Sequence, residues 1–230
     1  MKKSTVIPEI LYEDNHLIVA IKPAGVLSQS DGSDRPDMLT ILKEYIADKY
    51  NKPGEVFLGL VHRLDMPTAG IMVFARTSKA ASRLSEDIRN HKVNKQYYAL
   101  TRGGPAADNG VFKDILSKDG ETNISRVDHS GKLSELAYNI IGRTNDNLVL
   151  WQIELITGRS HQIRVQLSHR GYPILGDEKY GPDADRPGHR AYSQGDLCLF
   201  AGILEFRHPV GDRKLMRFEK KPDFVAVFAN

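Results

Sequence analysis

Apolar residues fall along the chain in short runs broken by turn formers, and their spacing changes from run to run. Leu17-Ile18-Val19-Ala20-Ile21 is a β-branched run ending at Lys22-Pro23-Ala24-Gly25, which reads as a strand feeding a turn. A polar loop follows through Ser28 to Asp37. Leu39, Leu42, Ile46 and Tyr50 then recur at helical spacing until Pro53-Gly54, which predicts an amphipathic helix. Phe57 to Val61 and Ile71 to Ala75 are two more strand-like runs, separated by the turn-rich Met66-Pro67-Thr68-Ala69-Gly70. Their pairing as a hairpin would place Asp65 in the connecting loop. Ser78 reads as the N-cap of a second helix, with Ala81, Leu84 and Ile88 on one face. Arg83, Arg89, His91, Lys92 and Lys95 lie on or just beyond its other side, which makes that surface basic.

Strands are expected at Tyr97 to Thr101, Ser134 to Ile141 and Leu148 to Leu155, with glycine-, aspartate- and asparagine-rich loops between them. Ser160 and Gly171 bracket a third helix as N-cap and C-terminal stop, with Ile163 and Leu167 on one face. After a Gly/Pro/Asp-rich loop near residues 181 to 190, Leu197 to Phe206 and Lys214 to Phe218 read as closing strands. No repeat, low-complexity tract or long linker interrupts this order, so residues 1–230 are expected to form one α+β domain.

Composition narrows the function classes modestly. In 230 residues, 32 basic side chains face 29 acidic ones, a net charge of +3 that permits a nucleic-acid partner without demanding one. The single cysteine, Cys198, sits in an apolar stretch, which excludes an intramolecular disulfide and a cysteine-rich zinc site and reads as a buried, inert thiol. Lys2 and Lys3 are not followed by a long apolar run, and no stretch is apolar enough for a membrane span. The expected location is the cytoplasm.

Three clusters can carry chemistry. His62-Arg63-Leu64-Asp65 alone equally fits an aspartate capping a turn beside a paired arginine. In a loop between two buried strands, however, a carboxylate is rigidly held and still reaches a cleft, as a nucleophile requires. Thr157-Gly158-Arg159-Ser160-His161-Gln162-Ile163-Arg164 gathers hydrogen-bond donors around a glycine and a helix start, with guanidinium forks suited to phosphate or carboxylate. Because Ile163 and Leu167 mark that helix as partly buried, Arg164 needs a partner. In Asn94-Lys95-Gln96-Tyr97-Tyr98-Ala99-Leu100 the two tyrosines alternate, so one is expected in the core and the other is available to stack on a nucleobase.

In order and spacing, His62-Arg63-Leu64-Asp65 with Thr68-Ala69-Gly70, then Lys95-Gln96-Tyr97, then Gly158 to Arg164, resemble the RluA-type pseudouridine synthase family. Lys22-Pro23-Ala24-Gly25, Leu175-Gly176-Asp177 with Tyr180-Gly181, and Phe206-Arg207-His208-Pro209 extend the similarity over nearly the whole chain. Ala69, Ser160, Gln166 and Phe200 depart from the residues common in that family, and none touches the three central positions. The resemblance implies a mixed, largely antiparallel sheet flanked by helices and loops. It implies that Asp65 is the catalytic carboxylate, that Tyr97 lies against the target base, and that Arg164 pairs with Asp65. Arg63 would fill the space left by a displaced nucleotide, and His62, Arg159, His161, Gln162 and Ile163 would complete substrate binding. It implies RNA, ribosomal or transfer, as partner, with no metal, no organic cofactor and no obligate protein partner. The catalytic pattern begins by about residue 10, counting back one strand length from Lys22-Pro23, so the small S4-type RNA-binding domain of many relatives is expected to be absent. Two other readings compete: a hydrolase using His62 and Asp65 as an acid-base pair, and a non-catalytic RNA-binding module gripping phosphate through its arginines.

Overall fold

The computed structural model describes residues 7–181 and 196–228. In chain order it contains β1 (Ile10–Glu13), β2 (Leu17–Lys22), α1 (Met38–Tyr50), β3 (Gly59–Leu60), β4 (Ala69–Ala75), α2 (Ser78–Arg89) and β5 (Asn94–Arg102). There follow β6 (Asn109–Lys118), β7 (Ser125–Val127), β8 (Lys132–Arg143), β9 (Leu148–Leu155), α3 (Gln162–His169), β10 (Leu199–Arg207), β11 (Leu215–Glu219) and a short 3-10 helix at Asp223–Phe228. The fold is α+β. The expected loop near residues 181 to 190 lies almost wholly outside the described residues.

The chain divides into two compact units: residues up to Val93 with Ile203–Lys220, and Asn94–Gly202 with the segment from Lys221. In the first, the strand order is β1-β2-β4 followed by the second half of β10. β2 and β4 pair antiparallel from Leu17↔Ala75 to Lys22↔Gly70. Leu17 and Val19 of β2, Ile71, Val73 and Ala75 of β4, and Leu204 and Phe206 of β10 share a core with Ala80 and Leu84 of α2. The alternate residues Ile18, Ala20, Met72 and Phe74 are buried as well. Burial on both faces is why these strands read as continuous apolar runs.

The two helices of this unit differ in detail from expectation. In α1 the buried side chains are Met38, Ile41, Leu42 and Ile46. Tyr50 is exposed and its hydroxyl donates 2.8 Å to Glu13 Oε1. Thr77, not Ser78, caps α2: its hydroxyl oxygen accepts from Ala80 N at 3.2 Å, and Ser78 is the first helical residue. Both are good capping types, and only the backbone turn decides between them.

In the second unit the order is the first half of β10, then β5-β9-β8-β6-β7. β5 pairs β9, β9 pairs β8, and β8 pairs β6, all antiparallel. Trp151 of β9 is fully buried, donates 2.7 Å to Thr101 Oγ1, and meets the rings of Tyr138 and Tyr172 at 5.2 and 6.0 Å. Strands β6 and β7 occupy a region expected to be loop. In β6, Phe112 and Leu116 are buried while Val111 and Ile115 are exposed. Apolar residues thus stand on both faces, and the period-two signal of a half-buried strand is erased.

Candidate active site

The first unit holds His62, Arg63 and Asp65 in the loop between β3 and β4, which pair through Gly59↔Ala75 and Leu60↔Phe74. The first strand is shorter than expected, and Phe57 lies outside it and exposed. Several bonds fix this loop. His62 Nε2 accepts from Val73 N at 3.0 Å, so that nitrogen carries no proton, which disfavours the hydrolase reading with His62 as an acid. Ser28 Oγ accepts from Leu64 N at 3.1 Å and donates to Leu64 O at 2.9 Å. Thr68 N closes a turn on Asp65 O at 3.0 Å. Leu64 is buried, Arg63 exposed, and Asp65 half-buried between them.

Beneath this loop lies a fully buried lysine. Lys22 Nζ donates to the carbonyls of Pro23 at 2.9 Å, Val26 at 2.6 Å and Met66 at 2.9 Å. Three acceptors use all three N–H bonds of an ammonium. Burial pushes its pKa down to about 7, opposed by the attraction of Asp65. Gly25 N donates to Met66 O as well, at 2.9 Å, and Gly25 sits at φ +78°. The Lys22-Pro23-Ala24-Gly25 turn is therefore a platform for the residue that follows Asp65. The motif was visible in the sequence, but its role was not.

The second unit holds Tyr97, Arg159, His161, Gln162, Ile163 and Arg164. Tyr97 and Tyr98, opposite Ile153 and Gln152, are 8% and 3% exposed, so both tyrosines are buried rather than one. β5 lies between β10 and β9 and is covered on both faces from Tyr97 to Thr101, where alternation no longer separates core from surface.

Helix α3 starts at Gln162, and Ser160 does not cap it. His161 occupies the N-cap position in the left-handed region at φ 54° and makes no side-chain cap bond. The Gln162 side chain organises the preceding turn instead: its Oε1 accepts from Thr157 Oγ1 at 2.9 Å and Arg159 N at 3.0 Å, and its Nε2 donates to Glu135 O at 3.1 Å. At the other end, Gly171 N donates to Ser168 O and Tyr172 N to Leu167 O, with Gly171 at φ 79°. This is a Schellman stop of the kind the glycine implied.

Ile163 and Arg164 are buried at 3% and 5% exposure, whereas Arg159 is exposed, its Nε donating 3.2 Å to Leu133 O. Within this unit the carboxylate bound to Arg164 is Asp177, which accepts from Nε at 2.8 Å and Nη2 at 2.7 Å. Lys95 Nζ lies over Gly158, 3.7 Å from where a Cβ would stand, and burial lowers its pKa. Asp177 and Tyr180 belong to a motif the sequence displayed but to which no role was attached.

Comparison with known proteins places these residues in context. Residues 16–169, a span running through both units, match the family model described as RNA pseudouridylate synthase. The chain is 33% identical over 206 residues to the ribosomal large subunit pseudouridine synthase C of Vibrio cholerae, covering 90% of this chain and 63% of that protein. The chain thus spans less than two thirds of that relative. It is 33% identical over 218 residues to the dual-specificity RNA pseudouridine synthase RluA of Pasteurella multocida, covering 94% of each. Among solved structures, human RNA pseudouridylate synthase domain containing 4 superposes with a TM-score of 0.75 at 25% identity, over 95% of this chain and 90% of that one.

Proposed function

We propose that this chain, which belongs to the RNA pseudouridylate synthase family, isomerises uridine to pseudouridine in RNA with Asp65 as the reacting carboxylate. The observation that carries the reading is the mounting of Asp65. The residues on either side of it, Leu64 and Met66, are tied through their backbone groups to Ser28 Oγ, Gly25 N and Lys22 Nζ, and Asp65 itself stays half-buried. A reacting group on so fixed a support costs little reorganisation.

The reaction breaks the N1–C1′ bond of uridine and joins C1′ to C5; C5 gives up its proton and N1 gains one, so mass is unchanged. The target is first displaced from its stack, at a cost of about a few kcal/mol. Phosphate contacts from exposed Arg159 offset that cost, and Tyr97, 8% exposed, lies against the target base. Arg63, the exposed member of the loop, fills the vacated space. Arg164 is the proposed partner of Asp65 and orients it. His62, His161, Gln162 and Ile163 are the further substrate-binding residues. Asp65 then acts on the nucleotide as nucleophile or base.

Ribosomal or transfer RNA is the substrate class, in line with the ribosomal and tRNA pseudouridine synthases among the relatives. The proposed location is the cytoplasm and the proposed partner is RNA, with no obligate protein partner inferred. No helix among the described residues is long and apolar enough to cross a membrane. Both units serve one catalytic domain.

The test is to incubate the protein with ribosomal and transfer RNA and map carbodiimide-dependent reverse-transcription stops. New stops without a mass change are expected, and Asp65→Asn should abolish them while leaving fold and RNA binding intact. Near-native turnover by Asp65→Asn would overturn the assignment, and release of free uracil would favour a hydrolase.

A further inference from the structure

The segment Leu175-Gly176-Asp177 with Tyr180-Gly181 has no part in the scheme above, yet it surrounds Arg164. We propose that Asp177 and Tyr180 are positioning residues that fix the Arg164 guanidinium before substrate arrives, a proposal that rests on the reading of Arg164 as the partner of Asp65.

Arg164 and Asp177 are 5% and 1% exposed at their side chains. A pair so buried is tolerated only with near-ideal geometry, and here the contact is bidentate through Nε and Nη2. Asp177 is itself pinned: its Oδ1 also accepts from the backbone N–H groups of Lys179 and Tyr180, each at 3.0 Å. The Nε–Nη2 edge is thus gripped by an acceptor that cannot swing, and the plane of the guanidinium is set from within its own unit.

Tyr180 supplies the second wall. Its ring lies 5.1 Å from Arg164 Cζ, a cation–π contact. Its hydroxyl accepts from Ser125 N at 2.9 Å and is hydrogen-bonded to His161 Nδ1 at 2.6 Å. His161 stands at φ 54° directly before α3, and backbone held in this sparsely populated region clusters at working sites. One side chain thus ties the strained entrance of α3 to the charge two residues into the helix.

The glycines make the socket possible. Gly181 N donates 2.8 Å to Asp177 O, and a Cβ at Gly181 would crowd that carbonyl. Gly176 sits at φ 76°, where a Cβ would collide with the carbonyl of Asp196. The motif is a tight loop whose close backbone approaches aim Asp177 and Tyr180 at one guanidinium.

The test is a double-mutant cycle under single-turnover conditions on a pseudouridine-accepting RNA, with the folded fraction of each variant fixed by circular dichroism. Asp177→Asn keeps the shape and removes the charge. It should slow the single-turnover rate by roughly 100-fold, the scale of a misplaced catalytic group, with half-saturating RNA within about threefold of the parent. In an Arg164→Ala background the same change should cost less than about threefold, because the group it positions is gone. Tyr180→Phe should behave likewise with a smaller loss, and it alone decides the matter if Asp177→Asn does not fold. Equal losses in both backgrounds, or none in the parent, would overturn the proposal. Asp65→Asn is run in parallel: if it keeps turning over, the reading of the site fails, whatever the cycle shows.

Discussion

The ammonium of Lys22 donates 2.9 Å to the carbonyl of Met66, a residue 44 positions away and the immediate successor of Asp65. Pro23 and Val26 supply the other two carbonyls, so one buried cation joins the end of β2 to the loop between β3 and β4. Lys22→Met fills similar space without a donor. An orphaned buried acceptor costs about 1–3 kcal/mol, and three are partly offset by no longer burying a charge. A loss of about 3 kcal/mol is expected in urea denaturation, with a rate lowered by roughly 100-fold because the Asp65 loop shifts. A variant as stable and as fast as the parent would remove Lys22 from the account.

The same lysine makes stability and rate respond to pH in opposite directions. Its folded pKa, lowered by burial to about 7, lies below the 10.5 of a free lysine. Between those values the unfolded chain holds a proton that the folded chain has released, so this group's contribution to unfolding free energy rises with pH across that window and is flat below it. A neutral amine, however, has two N–H bonds for three carbonyls, so the platform loosens and turnover falls above a pH of about 7. Urea midpoints and single-turnover rates measured from about pH 6 to pH 9 should diverge in the parent, and the stability slope above about pH 7 should be smaller in Lys22→Met. Parallel profiles in the two proteins would assign the slope to another group.

What the sequence disclosed follows from where the information lies. The strand at Leu17–Lys22 and the run from Ile71 to Ala75 were legible because both faces are buried and the apolar signal is continuous. Asp65 was legible as a loop residue because turn formers follow it directly. Lys22 was not, since a lysine closing an apolar strand looks like a solvated end, and its burial depends on Met66 arriving from a distant segment. Asp177 is the same case: α3 announces that Arg164 needs a partner, but nothing local says which carboxylate will reach it. Ser160 failed as a cap for a different reason. Gln162, a non-capping type, satisfies the turn through its amide, and no propensity scale registers that.

The thiol of Cys198 gives an independent check on the packing of the second unit. It is 4% exposed, and burial raises its pKa to about 12. Thiolate is the reactive form, so a thiol-specific disulfide reagent at neutral pH should label the native protein negligibly and one thiol per chain in denaturant. Rapid labelling of folded protein would show that the start of β10 opens far more readily than its burial implies.

Arg63 separates the displacement of the target from the chemistry that follows. It is the exposed member of the loop, two residues before Asp65, and its proposed task exists only where a nucleotide leaves a stack. Unstacking costs about a few kcal/mol in structured RNA and least in an unpaired strand. Arg63→Ala should therefore lower kcat/KM by roughly 10- to 100-fold on a folded stem-loop substrate, the equivalent of about 1.4–2.7 kcal/mol. On an unstructured oligonucleotide carrying the same uridine the loss should stay under about threefold, because there is little cost left to offset. If both substrates lose equally, Arg63 acts as an ordinary phosphate contact, and a shallower salt dependence of binding in the variant would identify it as one.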